Sequence, residues 1–311
     1  MALQSLALAL RSGNRDPEAW RDAVASIGEE LLLRQTQAAA QADVYVSAAL
    51  QAQGASASAD AEVNPAAFAD LTDGGGSWLR NLVFAPNAVR SAALAAGLSR
   101  PLAESRASLV AQSIVLTGIQ DVGRSAVQAS MLSRPDTKGY VRMLRGKSCS
   151  RCAILAGRHY RAATAFRRHP RCDCVNIPAA ESVSDLTTDP MTYFRSLSRA
   201  EQDEIFGEAS SQAIRDGADI SQVVNAQKGT WTVNAYGRDV RATLEGTTKR
   251  GIAGQRLSAE GFTKTTGPTD SRYAYSRTPR LLPDEIYSLA EEFGWDRAEI
   301  LRQLQRFAYI I

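Results

Sequence analysis

Along the first third of the chain, apolar residues recur at three- and four-residue spacing on an Ala-, Leu- and Gln-rich background, the period of helices with one buried face. The pattern predicts a long helix over 17–53, with Pro17 at a first-turn position after Asp16. The small polar run QGASASADAEVN and then Gly74, Gly75 and Gly76 interrupt it, so 54–77 reads as a connector with at most a short helix near Phe68. The helical period returns from Pro86 to Ser99 and from Pro101 to Ser133. In the second stretch Leu109, Ile114, Val115, Ile119, Val122 and Val127 form an apolar side. Residues 1–134 therefore read as a helical domain.

Further on, Ser198 and Glu201 have the spacing of a capping box and open a helix running to about Asp216. Gly217 ends it, and 219–227 reads as a second short helix. That helix-turn-helix outline is a weak sign of DNA binding, since the second helix carries only Lys228 at its end. From 229 to 280 the Gly and Thr content, with TWTVNAY and GTTKRGIAG, favours short strands and exposed loops. A final helical pair follows, over Pro283–Glu292 and then from Asp296, with Ile300, Leu301, Leu304 and Phe307 on one side. The ending FAYII is apolar and is expected to dock on the body of the protein or on a partner. The fold class is mainly α with a small α+β portion: a helical domain over 1–134, a central module over 135–230, and a loop, short-strand and helix region over 231–311. At the other end, MALQSLALAL lacks a basic flank and reads as an amphipathic helix rather than a leader. No run of eighteen apolar residues occurs, so no membrane span is expected.

Charge changes this picture locally. The 311 residues carry a formal net charge of only +3, yet 138–171 holds ten Lys or Arg and no Asp or Glu. Arg142, Arg145, Lys147, Arg151, Arg158, Arg161, Arg167, Arg168 and Arg171 are thus candidates for sequence-independent contact with nucleic-acid phosphates. The competing account makes the same residues a solvated face or counter-ions for thiolates.

All four cysteines lie in or just beyond that stretch. Cys149 and Cys152 form a CxxC turn, and about twenty residues later come His169, Cys172 and Cys174. Thiolate and neutral imidazole are the donors zinc prefers, and two clusters joined by a loop are the usual form of a structural site. Two disulfides or unligated thiols are alternatives, disulfides being disfavoured without a secretory context. The CxC spacing is tight for two ligands on one ion, so five candidates compete for four positions: Cys149 and Cys152 with two of His169, Cys172 and Cys174. A zinc held by four thiolates carries about −2, which the neighbouring Arg and Lys would offset. His159, beside Tyr160, reads as a packing residue.

The run CSRCAILAGRHYR followed by RHPRCDC resembles the metal-binding-like segment of the MuF-like minor head proteins of tailed bacteriophages, in which a CxxC turn precedes HPxCxC. The likeness extends through 189–229, which looks like versions from phages of high-GC hosts, and so covers roughly 138–230. It implies a low-copy virion protein inside the capsid near the portal. Such a protein acts in head assembly and DNA packaging or delivery, with the portal, other capsid proteins and packaged double-stranded DNA as expected partners and structural zinc as the expected cofactor.

Catalysis finds little support in the residues. With only His159 and His169 available, no GxSxG elbow, no HExxH helix and no His-x-Glu before a PCxxC, a hydrolase lacks its usual parts. The expectation is a non-enzymatic protein. A capsid maturation protease is the main rival, and a zinc-containing DNA-binding protein unrelated to phage heads is the second.

Overall fold

The computed structural model describes residues 17–72, 74–164, 169, 172, 174–180, 189–245, 252–259, 264–266, 274–276 and 280–310. It divides into two compact units. The first begins with α1 (Pro17–Ala40) and α2 (Ala42–Gln51), where a single helix was expected. They part at Gln41, whose amide reaches back three residues to the Ala38 carbonyl at 3.4 Å, a tightened turn in place of the four-residue bond. After the connector, whose short 3-10 helix Pro65–Phe68 is capped by Asn64, come α3 (Trp78–Ala95) and α4 (Arg100–Leu132). Helix α3 starts eight residues before the expected Pro86. Ser77 caps it by accepting the Arg80 amide, and Pro86 lies inside the helix on its buried side with Trp78 and Leu82.

The core of this unit gathers Ile27, Leu31, Trp78, Leu82, Val115, Val122 and several alanines. Fully burying each large side chain contributes roughly 1.5–3 kcal/mol. The core-facing side of α4 is built largely from Ala103, Ala107, Ala111, Gly118, Val122 and Ala126. Leu109, expected on that side, is instead 51% exposed. Below this layer lies a three-stranded antiparallel sheet in the order β2-β1-β3, from β1 (Gly139–Met143), β2 (His159–Tyr160) and β3 (Val175–Ala179). Helix α2 and the turn after it fasten β3: Tyr45 donates its hydroxyl to the Asn176 carbonyl at 2.8 Å, and Gln53, just beyond the helix, donates its amide to that of Pro178 at 2.7 Å.

The second unit contains α5 (Ser150–Ala153), α6 (Pro190–Ser196), α7 (Arg199–Phe206), α8 (Glu208–Arg215) and α9 (Ile220–Ala226). The capping box at Ser198 and Glu201 is formed as expected, but the helix it opens breaks at Gly207, whose φ of 88° suits glycine. Strands β4 (Thr230–Ala235) and β5 (Arg238–Thr243) make a hairpin whose turn residues Tyr236 and Gly237 both have positive φ, matching the right-handed twist of the strands. Where strands and loops were expected, α10 (Ile252–Ala259) forms a helix that buries Ala253 and Leu257. A short pair, β6 (Lys264–Thr266) with β7 (Ala274–Ser276), follows, and β8 (Arg280–Leu281) joins the hairpin. The chain then runs through α11 (Pro283–Phe293) and α12 (Arg297–Arg306), with Asp296 capping α12.

The apolar C-terminal residues dock on the body of this unit. Phe307, Ala308 and Tyr309 are each at most 2% exposed. Buried Arg280 donates to the carbonyls of Phe307 at 2.8 Å and Ala308 at 3.2 Å and lies over the Tyr309 ring. The molecule is mainly α with small antiparallel sheets, and among the described residues no helix is long and apolar enough to cross a membrane.

Candidate metal centre

Cys149 stands at the N-cap of α5, and one helical turn brings Cys152 after it, with the Ala153 amide bonded to the Cys149 carbonyl at 3.0 Å. The turn is held from behind by Tyr193 of α6. Its hydroxyl accepts the Ser148 amide at 2.8 Å and donates to the Ser148 carbonyl at 3.0 Å. On the other side of the sequence cluster, the Cys172 amide donates to the His169 carbonyl at 3.1 Å, and Cys174 immediately precedes β3. Arg124 of α4 clasps this segment: Nε donates to the Cys174 carbonyl at 2.8 Å, Nη2 to that of Cys172, and Nη1 pairs with Asp121 at 3.0 Å. Neither Arg124 nor Tyr193 was singled out from sequence. The available signal for Arg124 was Asp121 three residues before it, the spacing of an ion pair along a helix.

Two groups of donors result. Cys149, Cys152 and His169 form one and Cys152, Cys172 and Cys174 the other, with the ligand atoms of each group within 4.8 Å of one another. Sulfurs bound to a tetrahedral zinc at about 2.3 Å lie about 3.8 Å apart, so both groups fit an ion with small side-chain adjustment. Cys152, Cys172 and Cys174 are buried, Cys149 is exposed and His169 half-buried. The CxC pair, tight on paper, places both thiols in one group. Each group offers three donors of the type zinc prefers, and an ion held there would supply folding free energy to this loop-rich segment.

The basic residues separate into three sets. Arg145, Lys147, Arg151, Arg158 and Arg161 are exposed, Lys147 in an ion pair with Glu201 at 2.8 Å. Arg142 is a correction to the expected phosphate contacts: at 1% exposure it faces inward, its Nη2 donating to the Cys172 sulfur at 3.7 Å. Arg167, Arg168 and Arg171 lie outside the described residues. His159 belongs to neither donor group. It pairs with Val141 across the sheet, and its ring lies over Gly139.

No curated protein and no solved structure matches the chain. A family model described as VG15 protein matches residues 2–200, a span that takes in the helical layer, the sheet and all five donor residues. The chain therefore belongs to the VG15 protein family, a membership that points to a phage-encoded protein.

Proposed function

We propose that the protein is a MuF-like minor head protein of a tailed bacteriophage. It resides inside the capsid near the portal, where it aids head assembly and DNA packaging or delivery. The observation that carries this reading is the assembly of the CxxC turn with His169, Cys172 and Cys174, the residues on which the resemblance rests. Family membership agrees with a phage origin. In this reading the bound ion is zinc in a structural role, and the protein acts by binding portal, capsid protein and DNA rather than by catalysis.

Arg145, Arg158 and Arg161, exposed on the first unit, support a DNA-facing surface, because neutralising phosphates releases counterions and favours binding without sequence preference. The buried C-terminal residues are already taken up by the chain's own core, so portal contact falls to other surfaces, the Ala-rich helices among them. Mass spectrometry of purified virions tests the proposal. The intact chain is expected at low copy in heads. Its absence from virions would overturn the proposal, and loss of scaffold cleavage on mutating His159 would replace it with the protease.

A further inference from the structure

Arg142 lies in β1, a strand bonded on both edges. Its residue pairs with Asn176 of β3 on one side, and on the other its amide donates to the Arg158 carbonyl at 3.1 Å while its carbonyl accepts the Gly157 amide at 2.8 Å. The backbone therefore fixes where the side chain starts. At 1% exposure the guanidinium is withdrawn from water, and it keeps its charge at any pH the fold survives. Such a charge is tolerated when an anion or a strong acceptor answers it. Among the groups it reaches is the Cys172 sulfur, at 3.7 Å from Nη2. Arg124, another arginine beside Cys172, is committed elsewhere: it pairs with Asp121 and donates to main-chain carbonyls.

We infer that Arg142 is the resident counter-cation of the thiolate cluster, a positioning residue that raises the cluster's affinity for a divalent metal. A dication with three thiolates carries −1 and with four −2, and in either case a buried guanidinium against one sulfur lowers the residual charge held away from water. This rests on the metal reading of the site.

The test uses the full chain and zinc itself. Arg142→Lys keeps the charge, and Arg142→Gln keeps a donor but loses it. Zinc is titrated into each reduced protein in competition with a chromogenic chelator at one pH, with far-UV circular dichroism reporting the fold. The lysine variant is expected within about threefold of wild type, and the glutamine variant weaker by about 10- to 100-fold, the range for residues that support metal ligands. A glutamine variant that fails to fold while the lysine variant folds supports the same conclusion. Equal affinity of wild type and the glutamine variant overturns it, and so does loss of folding in both variants alike, which assigns the arginine to packing. Failure of the metal reading is seen separately, as wild type that takes up no zinc.

Discussion

At Cys152 the two donor groups meet, so Cys152→Ser removes a ligand from both, whereas Cys149→Ser or His169→Ala removes one from a single group. Metal content measured on the reduced, purified proteins is expected to fall furthest for the variant at 152. Equal retention by all three variants would mean that Cys152 is not a ligand common to both groups. A second residue-scale expectation concerns Asp43. Burial alone would raise its carboxyl, but bonds from Ser130, the Val63 amide and Arg134 outweigh this and hold it below the usual carboxylate range. Its contribution is present above the ordinary carboxylate pKa and is lost as pH falls through the lowered one. Asp43→Asn should cost about 1–3 kcal/mol at neutral pH, because the Arg134 side chain, 4% exposed, loses its ion pair. The variant's deficit in urea unfolding should shrink in acid, and a deficit independent of pH would contradict the assignment.

Among the elements, Gly139 in β1 gives the sharpest expectation. A Cβ there would stand 2.1 Å from the Tyr160 carbonyl oxygen and 2.7 Å from the His159 ring, so Gly139→Ala must push β2 away. Loss of amide-exchange protection in β1 and β2, with protection kept in the core helices, is the expected readout, and an unchanged sheet would refute it. At α7 the capping box is reinforced by Lys147, and the Lys147 ammonium with the Ser198 bonds holds the Glu201 carboxyl down to about 2. Ser198→Ala should cost about 0.5–2 kcal/mol, measured by thermal unfolding.

Elements with a local signal were legible from sequence: the capping box, the Asn64-capped turn near Phe68, the TWTVNA strand and the last two helices. Those decided by tertiary packing were not. Pro86 read as a helix start because proline favours that position, yet Trp78 and Leu82 bury the turn ahead of it. The grouping of the five candidate donors could be read from spacing and chemistry. The inward turn of Arg142 could not, because a charged residue in a basic run carries no local mark of which way its strand faces.

For the whole molecule, the net charge of +3 places any DNA affinity in the distribution of cations rather than in their sum. Binding to unrelated duplexes should weaken steeply with salt. Replacing Arg158 and Arg161 with Ala should lower the slope of log affinity against log salt by up to about two units, roughly one per lost phosphate contact. Folded, metal-loaded protein that binds no DNA at low salt would leave these residues as a solvated face.

Arg124 grips the Cys172 and Cys174 stretch by its main-chain oxygens, which every residue possesses alike. Scaffold and chemistry are therefore separable in descent. A lineage that replaced these cysteines would keep the clasp from α4 and the path of the chain into β3, so relatives with the same loop and no thiols are an expected outcome of drift, and the metal can be gained or lost without rebuilding its surroundings.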